Sequence, residues 1–337
     1  MFRIMILTVA VLTGSPALAH PLIIAHRGAS GERPEHTRAA YERAIEQGAD
    51  YIEPDLVMSR DGVLVVRHEN EIGGTTDVAA RPEFAARRAT KTIDGRPVTG
   101  WFAEDFTLAE LKTLRARERL PELRPANAAF DREPILTFEE VLDIAAGAGV
   151  GVAPELKHPS YFAGLGLPME DAFVAALERR GLTRRDAPVL IQCFEVGALQ
   201  RLRARIGTPL LQLVAASGGP FDRPELSYAA MIAPEGLAGV AAYADWIGAD
   251  TALIEPSPGA PTGLIADAHA AGLKVAGWTF RAENVFLPEG DRVGEAPAGH
   301  GRLRERLGRF AGYGLDAAFM DQPGLARDAV VDRGAGF

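Results

Sequence analysis

Three short stretches of the chain carry residue types that can act together on a phosphate ester. His26-Arg27-Gly28 comes first, Glu53-Pro54-Asp55 follows, and His68 completes the set. Histidine exchanges protons near neutral pH, arginine offers a rigid fork for two phosphate oxygens, and paired carboxylates hold a cation; together they suit metal-assisted phosphoryl transfer. Side chains two apart on a strand share a face, so Glu53 and Asp55 can reach one ion, and Glu155 and Lys157 repeat the spacing. Hard oxygen ligands from Glu53, Asp55 and Glu155 suit one divalent cation, Ca²⁺ or Mg²⁺, with positions left for water and substrate oxygens. Carboxylate-only ligation disfavours zinc. Taken alone, Glu53 and Asp55 read equally well as a solvated strand end beside an arginine. Adding Glu155, His26 and His68 displaces that reading, because buried carboxylates are too costly to cluster without a cation.

Arg27 and Lys157 match a phosphodiester anion, the first as a fork and the second as a point charge. His36, His158, His269 and His300 have no comparable neighbours in sequence and are read as structural. Cys193 lies within the apolar run Val189-Leu190-Ile191-Gln192-Cys193-Phe194 and is read as a small buried hydrophobe rather than a nucleophile.

Each reactive group stands at the downstream end of a short apolar run. Leu22-Ile23-Ile24-Ala25 precedes His26, and Val63-Leu64-Val65-Val66 precedes Arg67 and His68. Such runs read as buried strands of a parallel sheet, whose C-terminal ends carry the active sites of α/β barrels. Strand and helix signals alternate as parallel strands with crossover helices require. Thr37 is the expected N-cap of a helix through about Gln47 that Gly48 ends, and Tyr51 to Met58 is the next strand. Ser59-Arg60-Asp61-Gly62 turns the chain into Val63 to His68, an accessory strand or a continuation. From Glu69 to about Glu133 the alternation stops. This stretch holds Gly73-Gly74, scattered prolines and a charged segment, Leu108 to Arg119, that reads as helix; it is expected to form a small ordered cap inserted beside the barrel mouth. The alternation resumes with a helix near Thr137 to Ala148, the strand Gly151 to Leu156 and a helix near Pro168 to Arg180. Further strands are expected at Val189 to Phe194, Leu210 to Ala215, Trp246-Ile247, Leu253-Ile254, Leu273 to Phe280 and Ala317 to Met320. The fold class expected is therefore α/β, a (β/α)₈ TIM barrel with a small inserted cap after the second strand unit.

The chain has 337 residues, 47% hydrophobic and 24% charged, which bounds it as an ordinary globular protein with one large core. Its net charge of −9 argues against a nucleic-acid or anionic-membrane partner, though a bound cation and a few basic groups can reverse the sign inside one cleft. Residues 1 to 19 combine Arg3, an apolar segment from Ile4 to Leu12 and Ala17-Leu18-Ala19, the pattern of a cleaved signal peptide. That apolar segment is shorter than the ~20 residues a bilayer span needs. A periplasmic or secreted protein without stable membrane insertion is expected, with residues 20–337 as the barrel. With one cysteine it has no internal disulfide, so stability rests on the core.

The residues described so far resemble the glycerophosphodiester phosphodiesterase family, whose pattern is a His-Arg pair, then Glu-x-Asp, then a His. Further matching stretches are Gly28-Ala29-Ser30-Gly31, Pro34-Glu35-His36-Thr37, Gly48-Ala49-Asp50-Tyr51-Ile52-Glu53, Pro154-Glu155-Leu156-Lys157 and Gly277-Trp278-Thr279-Phe280. The resemblance implies a phosphodiesterase (β/α)₈ barrel, metal ligation by Glu53, Asp55 and Glu155, acid/base roles for His26 and His68, and phosphate contacts from Arg27 and Lys157. The expected reaction is hydrolysis of glycerophosphodiesters to sn-glycerol 3-phosphate and an alcohol, with His68 as acid to the leaving alcohol and His26 as base. Phospholipase D-like action on lysolipids and non-catalytic capture of phosphorylated glycerol are the alternatives; the first lacks an advertised basic rim, and the second needs no pair of histidines. Trp278 and Phe280 share a face by the two-residue period and are expected to pack against the glycerol carbons, Phe280 reading equally well as core. Where many relatives carry an Asp and then Leu-x-Arg-Thr, this chain has Glu69-Asn70-Glu71-Ile72-Gly73-Gly74-Thr75-Thr76, which bears on the alcohol preference.

Overall fold

The computed structural model describes residues 20–326. Eight parallel strands close into a ring: β1 (Leu22–His26), β2 (Tyr51–Glu53 with Asp55–Met58), β3 (Gly151–Val152 with Glu155–Leu156), β4 (Ile191–Cys193), β5 (Leu210–Val214), β6 (Trp246–Asp250), β7 (Lys274–Phe280) and β8 (Ala317–Met320). Each pairs with the next, and β8 returns to β1 with Leu22 opposite Ala317. The interruptions at Pro54 and Pro154 reflect a missing donor, since proline has no N–H for the ladder. The pairing nonetheless runs through them: the carbonyls of Ile52, Pro54 and Leu56 accept from the amides of Ala153, Glu155 and Lys157 at 2.9, 2.9 and 3.1 Å. That continuous register sets Glu155 beside Asp55.

Side-chain alternation builds two buried layers. Ile24, Leu211, Leu213, Trp246, Ala317 and Phe319 fill the barrel interior. Leu210, Val214, Ala318 and Met320, each one residue away, pack outward beneath the helices. Gly248 sits where a Cβ would come within 2.5 Å of Leu211, so the interior has no room for a larger residue there. Crossover helices follow the strands: α1 (Arg38–Glu46), α2 (Phe138–Ala148), α3 (Met169–Arg179), α4 (Val196–Arg203), α5 (Pro234–Ala241), α6 (Leu264–Ala270) and α7 (Leu303–Gly312). Thr37 caps α1 by accepting from the Ala40 amide, and Gly48 at φ 78° turns the chain out of it. α2 begins with a reciprocal box between Thr137 and Glu140 and ends on left-handed Gly149.

Leu64–Val66 runs antiparallel to Asp55–Met58, so the stretch before His68 is an accessory hairpin strand. The segment that follows contains a second hairpin, Ala89–Ile93 with Arg96–Gly100, turned at Asp94 and Gly95, which both have positive φ. Its Phe84, Phe106 and Leu111 join the outer core layer. The expected helix from Leu108 to Arg119 is confined to Leu108–Leu111. Downstream the backbone is claimed by other partners: the Arg115 amide donates to Asp77, and the Ala116 amide to the Glu133 carbonyl. Leu253-Ile254 belongs to the short helix Thr251–Ile254, started by Asp250 accepting from the Ala252 amide, rather than to a strand. The leader-like residues 1–19 lie outside the described residues.

Candidate active site

Glu53 and Asp55, either side of Pro54 in β2, and Glu155 in β3 project into one buried cluster, with a ligand oxygen of each within 4.8 Å of the others. Glu53 accepts from the Arg27 amide at 2.7 Å and from Gln192 Nε2 at 3.2 Å. Glu155 accepts from Lys157 Nζ at 2.7 Å. Asp55 Oδ2 meets His36 Nε2 at 2.8 Å, whereas its Oδ1 is buried with no hydrogen-bond partner and has Lys157 Nζ at 3.9 Å. The three carboxyls do not ionise alike. Burial and the neighbouring Asp55 push Glu53 well above the usual carboxylate range and lift Glu155 to about 8. Burial also opposes charge on Asp55, but Lys157, His68 and the His36 bond outweigh it and hold Asp55 well below that range. An orphaned carboxylate oxygen among three converging hard oxygens is a donor set that fits a divalent cation.

The two histidines flank this cluster with matching support. His26 Nδ1 lies 2.6 Å from Asp321 Oδ1, and His68 Nδ1 lies 2.6 Å from Glu69 Oε1. A carboxylate can only accept, so each pair places the proton of a neutral ring on Nδ1 and leaves Nε2 as the working atom. Burial, then the Arg27 charge, lowers His26 to about 4. Burial, Arg27 and Lys157 lower His68 to about 3.

Arg27 takes a left-handed conformation at φ 59°, and Gly28 follows at φ 82°. A Cβ on Gly28 would meet the Ala40 backbone at 2.7 Å, so this turn against α1 needs glycine. The turn aims the Arg27 amide at Glu53 and leaves its guanidinium at 3.1 Å from Glu35 and 3.5 Å from Asp55. From the segment after the second hairpin, Arg119 reaches back to clamp Glu35 and Glu69, with contacts of 2.6 Å to each. Arg124 similarly ties Asp321 to Glu283, at 2.7 Å each. Fully buried Arg67 donates to the carbonyls of Glu35, His36 and Thr75 and fixes the loops around the mouth.

The structure thus gathers His26, Arg27, Glu53, Asp55, His68, Glu155 and Lys157 at one end of the barrel. Trp278 is half-buried, donates its indole N–H to the Gly248 carbonyl at 3.0 Å and meets Phe194 edge-on at 5.8 Å, so its N–H is already committed within the protein. Phe280 is not a pocket wall. The register of β7 against β8 shifts between Gly277 and Phe280, breaking the two-residue alternation, and Phe280 is buried outward against Phe310 of α7 at 5.0 Å. His36, read from sequence as structural, bonds a carboxylate of the cluster. His158 pairs with Asp94, and His269 with Asp316 at the surface. Asp321, Glu35, Glu69, Gln192 and Arg119 were not singled out. Asp321 stands just after an apolar strand run, the same signal that marked His26; Arg119 has no such mark. Cys193 is buried, donates to the Leu156 carbonyl, and burial pushes its thiol well up, as expected of an inert thiol.

Residues 26–325 match the model of the glycerophosphoryl diester phosphodiesterase family. A glycerophosphodiester phosphodiesterase of Arabidopsis thaliana is 37% identical over 288 residues, covering 80% of this chain and 77% of its own. One from Haemophilus influenzae is 30% identical over 256 residues, covering 67% and 68%. Among solved structures, a phosphodiesterase from Oleispira antarctica in complex with the product sn-glycerol-3-phosphate superposes with a TM-score of 0.65 at 22% identity, covering 93% of this chain and 97% of its own. A glycerophosphodiester phosphodiesterase from Agrobacterium tumefaciens gives 0.56 at 20% identity, covering 90% and 98%; both share the fold. With the family model spanning nearly the whole barrel, the chain belongs to the glycerophosphoryl diester phosphodiesterase family.

Proposed function

We propose that this protein hydrolyses glycerophosphodiesters to sn-glycerol 3-phosphate and the free alcohol, using one divalent cation, Ca²⁺ or Mg²⁺, held by Glu53, Asp55 and Glu155. The observation that carries the reading is the convergence of three buried carboxylates with two carboxylate-braced histidines and two phosphate-matching cations at the C-terminal mouth of the barrel. The product held by the Oleispira relative supports sn-glycerol 3-phosphate as the retained half. When bound, the cation polarises a phosphate oxygen and orients glycerol hydroxyls.

The remaining chemistry belongs to the side chains. Arg27 and Lys157 neutralise charge that builds on the phosphoryl oxygens. His26, neutral and braced by Asp321, takes at Nε2 the proton of the attacking oxygen, which is water or else the glycerol 2-hydroxyl forming a cyclic phosphate that water then opens; the new P–O bond forms as the bond to the leaving alcohol breaks. His68 returns a proton to the leaving alcohol. Its pKa of about 3 comes from burial and from the charges of Arg27 and Lys157. A bound phosphodiester anion offsets those two charges and pulls His68 back towards the protonated form an acid requires, against the lowering effect of the cation on Asp55. The leader-like first residues support action in the periplasm or outside the cell.

The test is regiochemical. Incubated with glycerophosphocholine and the cation, the protein is expected to release sn-glycerol 3-phosphate and choline in equal amounts, read with a coupled glycerol 3-phosphate dehydrogenase. Release of phosphocholine, or of neither, would contradict the reading.

A further inference from the structure

Beside the carboxylate cluster, and sharing Glu155 and Lys157 with it, lies a cavity of about 520 Å³. That is the size of a small-molecule site. One wall is the Ala89–Ile93/Arg96–Gly100 hairpin, which the sequence showed only as a break in the barrel rhythm, and the facing wall is the loop between β5 and α5. Glu69 and Glu71, one and three residues after His68, line it as well, so the cavity opens beside the segment that carries the proposed acid.

The lining is chemically one-sided. Phe194 and Tyr228 pack edge to face at 6.1 Å, and Phe221 stands 48% exposed at the rim. The face of Phe194 already attracts a cation, Lys157 Nζ at 5.8 Å. Glu71 accepts only from the backbone amides of Gly73 and Trp101, at 2.8 and 3.0 Å. Glu195 accepts from Ser160 and is pushed up to about 7 by burial, so it carries part of a charge, while Asp94 bonds His158 through Oδ2 and keeps a buried Oδ1 with no hydrogen-bond partner among the described residues. Against these carboxylates stand Lys157, bound to Glu155, and Arg96 on the exposed side of the hairpin. A neutral polyol could bond the polar groups but would leave the ring faces unused, and an acyl chain would face carboxylates. An alkylammonium group answers both features at once.

We propose that this cavity receives the alcohol half of the diester and selects alcohols bearing an alkylammonium group, with Phe194, Phe221 and Tyr228 meeting the cation's faces and Glu71 and Asp94 supplying its field. The proposal rests on the hydrolytic reading above and narrows its substrate class.

Two measurements on the full-length protein test it. The first compares kcat/KM for glycerophosphocholine with kcat/KM for glycerophosphoglycerol, whose alcohol is neutral. Wild type is expected to favour the choline diester, and the double variant Phe221→Ala/Asp94→Asn to lose about tenfold of that ratio. Asparagine tolerates the left-handed backbone at position 94 and can still accept from His158, so the change removes charge rather than the turn; an unchanged melting temperature checks this. The second is calorimetric titration with choline alone, expected to show binding to wild type that weakens about tenfold in the variant. Equal use of the two diesters by wild type, or a ratio the variant leaves unchanged, overturns the cavity assignment while the hydrolytic reading stands. If neither diester is cleaved, the hydrolytic reading falls, and choline binding lost in the variant still supports the cavity, whereas no choline binding overturns it too.

Discussion

Three carboxyls buried within one small volume cannot all hold negative charge unless positive charge answers them, and Lys157 answers only part of it. Burial and Asp55 lift Glu155 to about 8, so its protonated form is favoured at neutral pH and the proposed cation must displace that proton. A raised pKa means the proton competes with the metal below that value and ceases to compete above it. Apparent cation affinity is expected to climb as pH rises through about 8, with Glu53 raised in the same direction, and proton release should be visible as buffer-dependent enthalpy in calorimetry. Affinity independent of pH around that value would contradict the ligand set. His36 acts through Asp55, orienting it from 2.8 Å while Tyr41 holds the other ring nitrogen at 2.9 Å. His36→Asn, tolerable in the left-handed backbone of this position, is expected to weaken cation binding by roughly 10- to 100-fold. The same titration, with a thermal melt to exclude misfolding, checks it. His36 escaped the sequence reading because nothing local shows that a loop after β1 folds back onto β2; its partner is 19 residues away. His26, Glu53 and Glu155 were legible because each ends an apolar strand run, and barrel geometry then brings strand ends together.

At the scale of elements, legibility followed regularity of the backbone. β5 and β8 keep the two-residue alternation, so their inward and outward residues can be read directly, and α1 and α2 carry their caps in the sequence. The alternation misled at the end of β7, where the register shift turns Phe280 outward. Phe280→Ala is accordingly expected to cost about 3–5 kcal/mol of stability, as for other buried phenylalanines, while KM for glycerophosphodiesters stays near wild type. Thermal or denaturant unfolding beside steady-state kinetics checks this, and a raised KM with an unchanged melt would return Phe280 to the pocket. The stretch between His68 and α2 was the least legible, because its conformation is set by partners distant in sequence rather than by period. Arg119 reaches Glu35 across 84 residues and Glu69 across 50, so the end of its helix-like pattern is drawn away towards the barrel mouth.

The whole molecule carries a net charge of −9, yet Arg27, Arg119, Arg124 and Lys157 are concentrated around the mouth of the barrel. A net negative charge disfavours polyanionic surfaces, and on the proposed function these local cations with the bound metal ion would suit the centre to a small phosphodiester. No helix among the described residues is long and apolar enough to cross a membrane. The proposed chemistry requires the carboxylate cluster to bind a cation that the reaction needs. The most direct measurement follows sn-glycerol 3-phosphate release from glycerophosphocholine by protein dialysed exhaustively against chelator, before and after Ca²⁺ or Mg²⁺ is restored. Release is expected to stop in chelator, to return with the cation, and not to return in Glu53→Ala or Asp55→Ala proteins that melt normally. Full activity in excess chelator would contradict that requirement.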